Sequence, residues 1–493
     1  MQKEDLKQYF SNPLILFLFI VSTIFFLLQH YLHLSWDFSA YVLNARHLFY
    51  NGSYFEVYRA PLASLFLGVF LFLGKLGEFL YVFFVSLLFF YSILCLSDSL
   101  HNKYFNKYNL NKRILAFLVY LFLLSPFVLN YGLLIGTELL GLSFFILFLA
   151  NFFEDRISGH YLSLAFLSRY NFLLFIPFLF FNKSFSKILK NILLFFLVSL
   201  PWFLFNFFRY GNWFQSIIDS YYLNVLARQS MVEPFSISHL FPVIGWILPL
   251  FFLGVLYFLI RLYKNRFKVS KFKTELVFIL IFGLILFDFY NTPFKITRYL
   301  FNLSLPIAFF SVVGTIVLFK RFKKFQEILI IIFLIAFILP IPFLMYHNYL
   351  RNEAQIVYRQ STIDISDLGL GDCLVLSSHW VPINYYHESS YLPAYGIKTA
   401  IENNEIMLVF TKYPTMDDSY SEEEFGSYPM LLNNSDYILF GKEDLNNQTC
   451  KKWTKYEKIF VPDVCKTISQ RFGILESPML KICRLINFKS NLD

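Results

Sequence analysis

Asp37, Arg46, Glu56 and Arg59 fall within Ser35 to Leu62, SWDFSAYVLNARHLFYNGSYFEVYRAPL, directly after a long apolar run. Ionisable groups beside a bilayer are costly unless they face water, protein or a ligand, so such a cluster marks a candidate site. A carboxylate there can take a proton from a hydroxyl. A guanidinium can hold a phosphate bidentately and stays charged even when partly desolvated. Further charges stand at the edges of later apolar runs: Glu138 in GTELLGL, Arg169 in LSRYNFLLFIP and Arg209 in PWFLFNFFRYGNW. Arg228 and Glu233 precede Pro242, and Asp288, Lys295 and Arg298 flank Pro293 in DFYNTPFKITRYL. Several cations facing one or two carboxylates at a bilayer surface fit a pocket for a phosphate-bearing lipid. A lone arginine near a helix end also snorkels toward head groups. Arg209 fits that description better than Arg298, which precedes an aromatic at the mouth of a span.

The elements that must hold these groups are membrane helices. The chain is 57% hydrophobic and 15% charged, against about 25% charged in soluble domains, and its mean hydropathy is +0.55. That composition excludes a soluble protein. The net charge of +9 does not indicate nucleic-acid binding, because the basic residues fall in short blocks between apolar runs, where membrane topology accounts for them. Pro13 to Leu34 is long enough to span and has no small-residue cleavage site after it, so it reads as a first span and not a cleaved signal.

With Met1 to Tyr9 in the cytoplasm, Asp37 lies outside. Ala40 to Tyr50 reads as a short helix with Tyr41, Ala45, Leu48 and Phe49 on one face, suited to the interface. Pro61 then starts the next helix. Leu62 to Leu73 is too short to cross. Treating it as re-entrant or interfacial keeps Lys103, Lys107, Lys112 and Arg113 inside. Later spans are Phe79–Leu96, Ile114–Leu129, Leu139–Phe153, the short pair Tyr161–Arg169 and Phe172–Phe181, then Ile192–Phe208, Val243–Ile260, Leu276–Phe287, Leu300–Phe319 and Ile328–Met345. The total is about eleven by the length criterion, and every basic block lands inside.

From residue 347 the composition becomes that of a soluble domain. Cys373–Ser378, Ile406–Phe410, Tyr437–Phe440 and Lys458–Val461 read as strands separated by helix-competent stretches, which implies a small α/β domain. The expected organisation is an all-α polytopic membrane domain over 1–346 and an extracytoplasmic α/β domain over 347–493. Four of the five cysteines, Cys373, Cys450, Cys465 and Cys483, lie in the second domain, as an oxidising compartment favours. Two disulfides are possible in three connectivities. No CxxC pair occurs, and His379 and His387 lack ligand spacing, so a zinc site is not expected. The acidic patch Glu422 to Glu424 is the only biased segment.

In order, Trp36-Asp37, Arg59-Ala60-Pro61-Leu62, Thr137-Glu138, Ser168-Arg169, Pro201-Trp202 with Asn206, and Thr297-Arg298-Tyr299-Leu300 resemble the GT-C integral-membrane glycosyltransferases. The nearest branch is that of dolichyl-phosphate-mannose protein mannosyltransferases and lipid A aminoarabinose transferases, and the likeness covers roughly Pro13 to Met345. Asp37 is followed by Phe38 where mannosyltransferases often carry a second acid. Arg59 stands in place of the lysine usual in the aminoarabinose branch, and there is no DxD. The resemblance implies transfer of a sugar from a polyprenyl- or dolichyl-phosphate-linked donor to an extracytoplasmic protein, glycolipid or polysaccharide, at the plasma membrane. No tightly bound cofactor and no divalent metal are expected.

Under the same resemblance Asp37 is the general base, and Arg59, Arg169 and Arg298 hold the leaving phosphate. Glu138 orients the acceptor or holds a catalytic arginine, and Trp36, Tyr299 and Arg228 belong to the substrate pocket. A single inverting displacement is the simplest mechanism. The competing readings are a lipid-linked-sugar flippase or other transporter, an oligosaccharyltransferase or polymer ligase, and a non-catalytic scaffold. A transporter would place ionisable groups at mid-span, where this chain has almost none.

Overall fold

The computed structural model describes residues 9–108, 110–181, 184–228, 231–268, 272–393, 396–412, 427–460, 463–466 and 476–486. The acidic patch at 422–424 lies outside them. Among the described residues, seven helices are long and apolar enough to cross a membrane, from Pro13–Leu32 to the continuous helical stretch Lys323–Asp367. The other four expected runs are also helical but shorter. They are Lys112–Leu123 followed by Pro126–Tyr131, Glu138–Phe153, Gly159–Ser168, and the 3₁₀ stretch Tyr170–Phe180 that contains Pro177. Leu62–Phe70 is a separate short helix, extended by one 3₁₀ turn to Leu73 before Gly74.

Helix ends are set by local chemistry. Asn12 accepts hydrogen bonds from the N–H groups of Leu14 and Ile15, and Pro13 fills the first position of the first span, where its missing N–H costs nothing. Ser35 caps Trp36–Tyr50 by accepting from the Phe38 N–H at 3.2 Å. Asn51 ends that helix in the left-handed region (φ 57°). In the bundle, Leu248–Lys264 and Ser304–Arg321 approach closely because Gly254 and Gly314 face each other. A Cβ on either glycine would run into a carbonyl of the other helix, the small-residue contact by which membrane helices gain van der Waals packing.

The Trp36–Tyr50 helix differs from the expected interfacial one. Phe38 to Ala45 are buried without a break, because the helix is covered by Leu62–Phe70 on one side and by Trp380–Tyr386 on another. The C-terminal domain, and not only lipid, provides its surroundings.

The C-terminal domain holds a five-stranded sheet in the order β3 (Ser390–Tyr391), β2 (Val375–Leu376), β4 (Ile406–Phe410), β6 (Tyr437–Phe440), β5 (Met430–Asn433). The first three strands are parallel and the rest antiparallel. Alternation along β4 gives the sheet two covered faces. Ile406, Leu408 and Phe410 pack with Val357 and Ile365, while Met407 and Val409 pack with Ile397 and Ala400. Cys373 pairs with Cys450, and Cys465 with Cys483. The expected boundary at 346/347 falls inside one continuous helix, Pro340–Asp367, so polarity changes there without a break in the backbone. A two-stranded ribbon joins the domain back to the bundle: β1 (Tyr54–Phe55) pairs in parallel with β7 (Tyr456–Glu457).

Candidate functional site

The four groups at the heart of the site all project from helix ends. Asp37 lies in the first turn of Trp36–Tyr50 and Glu138 opens Glu138–Phe153, positions where exposed N–H groups favour an anion. Arg169 follows the last residue of Gly159–Ser168 with an extended backbone. Arg298 belongs to the 3₁₀ segment Thr297–Leu303.

The side chains converge. Asp37 Oδ1 accepts from Arg59 Nη1 at 2.8 Å and its Oδ2 from Arg298 Nη1 at 2.6 Å. Burial would raise the Asp37 pKa, but Arg298 and Arg59 outweigh it and hold the carboxyl well below the ordinary carboxylate range. Arg59 is pinned from behind by Glu56, which bonds its Nε, and its guanidinium lies over the rings of Tyr41 and Tyr58 at 5.2 and 5.4 Å. Arg169 bonds Glu138, and the Thr137 hydroxyl donates to the other oxygen of Glu138 at 3.1 Å.

These groups line a cavity of about 800 Å³. All eight residues singled out from the sequence, Trp36, Asp37, Arg59, Glu138, Arg169, Arg228, Arg298 and Tyr299, are in its wall. Others flagged with them are elsewhere. Arg209 pairs with Glu457 at 2.8 Å, Arg46 donates to the Tyr385 carbonyl at 2.7 Å, and the Lys295 ammonium caps the carbonyls of Phe289 and Tyr290. The Pro201-Trp202 and Asn206 motif acts one layer back. Trp202 Nε1 donates to Tyr170 Oη at 2.9 Å and Asn206 Oδ1 accepts from the Ser216 N–H at 3.1 Å, and the Tyr170 hydroxyl reaches the Arg59 carbonyl at 3.3 Å.

Some of the wall was not foreseen from the sequence. Ser378, Trp380, Leu392, Tyr456, Lys458 and Phe460 come from the C-terminal domain, whereas Asp288, at the end of Lys273–Asn291, is one of the charges flagged beside Arg298 in the sequence. The only sequence signal for the former group is an aromatic-rich composition. Among the described residues no cluster of three or more His, Cys, Asp or Glu side chains is placed to hold a metal.

Comparison with known proteins bears on the fold. The chain superposes on the crystal structure of ArnT from Cupriavidus metallidurans bound to undecaprenyl phosphate with a TM-score of 0.57, covering 87% of this chain and 98% of that one at 12% identity. The fold is that of ArnT. Helical bundle and small C-terminal sheet together match the GT-C-like architecture expected from the sequence. No protein-family profile matches the chain, and no curated protein matches it by sequence. With its apolar helices, the shared fold makes this a membrane protein.

Proposed function

We propose that the protein is a membrane glycosyltransferase that moves a sugar from a polyprenyl-phosphate carrier to an acceptor hydroxyl on the extracytoplasmic side. The observation that carries this reading is the Asp37 carboxylate held between Arg59 and Arg298 in a cavity at the end of the membrane bundle. The ArnT fold adds support, since that protein was crystallised bound to undecaprenyl phosphate.

The chemistry follows from the charges. A lipid phosphate is the leaving group. Its negative charge grows as the bond from the anomeric carbon to the phosphate oxygen breaks and the electron pair stays on that oxygen. Preoriented cations stabilise such charge most effectively. Arg59 and Arg298 are assigned to the phosphate, with Arg169, held by Glu138, completing the set. The acceptor oxygen forms the new bond to the anomeric carbon from the opposite face, which inverts the centre, and its proton passes to Asp37. Trp36, Tyr299 and Arg228 bound the space for the sugar and acceptor.

Asp37 is a weak base while both arginines hold it, because general-base efficiency requires a pKa nearer the working pH. A donor phosphate competes for the same two guanidiniums. As its negative charge offsets theirs, the Asp37 pKa rises toward its ordinary value, so donor binding itself readies the base. A protein, a glycolipid and a polysaccharide are all consistent with this chemistry as acceptors.

Asp37→Asn tests the reading. It keeps the size of the side chain and removes proton acceptance, so transfer should fall by about 100-fold or more. Donor binding should persist, because a carboxylate offers a phosphate no attraction. Transfer at the wild-type rate would remove Asp37 from the mechanism.

A further inference from the structure

Beyond walling the cavity, the C-terminal domain grips the loop from which Arg59 projects. The Tyr456 N–H donates to the Ser53 carbonyl at 2.9 Å, and the β1–β7 pairing sets Tyr54 opposite Tyr456 and Phe55 opposite Glu457. Glu388 accepts from both the backbone N–H and the hydroxyl of Ser53 at 2.5 Å. Trp453 Nε1 donates to the same hydroxyl at 2.8 Å.

One line of contacts runs from this grip to the reacting groups. Tyr54 is fully buried and lies parallel to Tyr456, with ring centroids 4.4 Å apart and planes 7° from parallel. Its hydroxyl accepts from Trp380 Nε1 at 3.2 Å and donates to Glu56 Oε1 at 2.5 Å. A phenol has one proton and acceptor lone pairs, so both bonds coexist. The other Glu56 oxygen holds Arg59 Nε, and Arg59 Nη1 reaches Asp37 at 2.8 Å. Glu56 is 1% exposed, and its backbone is fixed by a reciprocal pair of bonds to the Asn44 side chain at 2.8 and 2.9 Å. Neither Tyr54 nor Glu56 lines the cavity. They stand behind its wall. A long arginine side chain carries much rotamer freedom, and fixing Nε leaves the terminal nitrogens aimed in one direction.

We propose that Trp380, Tyr54 and Glu56 form a relay through which the C-terminal domain positions Arg59 against Asp37, so that the membrane bundle alone is an incomplete transferase. This rests on reading the Asp37 cavity as the transfer site. The three are positioning residues for that reaction, and they link a sheet domain of the far C-terminus to a guanidinium of the first loop.

The test uses the full-length protein in lipid, with a polyprenyl-phosphate sugar as donor and release of polyprenyl phosphate as readout. Tyr54→Phe removes one oxygen and keeps the stacking. It should lower kcat/KM for the donor by about tenfold, the scale for losing a hydrogen bond to a charged group. In a Glu56→Gln background the same change should have no further effect, since the two act in series. Arg209→Gln breaks the exposed Arg209–Glu457 tether between domain and bundle without touching the relay, and should retain wild-type kinetics. If Glu56→Gln does not fold, the cycle is run between Tyr54→Phe and Trp380→Phe, with the same non-additivity expected. Wild-type kcat/KM in Tyr54→Phe, independent multiplication of the two losses, or an equal loss in Arg209→Gln would each overturn the relay. If Asp37→Asn is inactive while Tyr54→Phe is normal, the relay alone fails. If Asp37→Asn is fully active, the underlying reading fails with it.

Discussion

Two clusters of charge stand at opposite ends of the same helices, and one of them faces a far larger cavity than the other. Lys273–Asn291 contributes Glu275 to one and Asp288 to the other, roughly 20 Å apart along its axis at 1.5 Å per residue. At the Glu275 end, Arg261 Nη1 donates to Tyr104, Tyr108 and Glu275 at 3.2, 2.8 and 3.2 Å, and its guanidinium rests over Tyr257 and Phe272. Lys320 lies over the Tyr108 ring at 4.4 Å, and the adjoining void is about 80 Å³. At the Asp37 end the void is about ten times larger, from about 800 Å³ against about 80 Å³. There Asp288 and Arg228 line it with no ion-pair partner among the described residues. Clustered charge is therefore not the mark of a site in this chain. What marks the site is hydrogen-bonding capacity left over and facing a cavity.

The comparison can be tested by damaging each end in turn. Arg59→Ala and Arg298→Ala each remove a charge-assisted hydrogen bond of about 1.5–3 kcal/mol. Donor affinity should weaken by roughly 10- to 150-fold, measured by titration with a polyprenyl-phosphate sugar. Unchanged affinity in both variants would move the phosphate elsewhere. Glu275→Gln, at the other end, should lower thermal stability by about 2 kcal/mol through its weakened bond to Arg261. Turnover per folded molecule should stay at the wild-type level, and a specific loss of kcat would give that end a catalytic role.

The smallest effect concerns pH. The folded-state pKa of Asp37 lies below its ordinary value, so its stabilisation is present above about pH 4 and fades as pH falls toward the folded value. The wild type should melt above Asp37→Asn at neutral pH, with the gap narrowing below about pH 4. A gap that widens in acid would contradict the depressed pKa.

The sequence made the charged residues of the site readable because each stands at the edge of an apolar run, where a charge is conspicuous. Asp37, Arg169 and Arg298 needed only that contrast. β4 and β6 were likewise legible as apolar runs between polar stretches, with their observed ends at Ile406–Phe410 and Tyr437–Phe440. The ribbon of β1 and β7 was not. Each strand has two residues, far too few for a period to emerge, and each exists only because the other, some four hundred positions away, supplies its partner. Glu56 was visible as a charge, but its grip on Arg59 depends on Tyr54 and Trp380, whose meeting no local pattern records. The helix across 346/347 shows a third limit, since a change in polarity marks a change of surroundings and not a break in the chain.

The claim that this cavity transfers sugar from a lipid phosphate is tested most directly by purified protein in lipid vesicles with a radiolabelled polyprenyl-phosphate sugar and an extract of envelope acceptors. The account predicts release of free polyprenyl phosphate with the label moved to an acceptor, and loss of both with Asp37→Asn. Label that crosses the bilayer still attached to its lipid, with no phosphate released by the wild type, would contradict it.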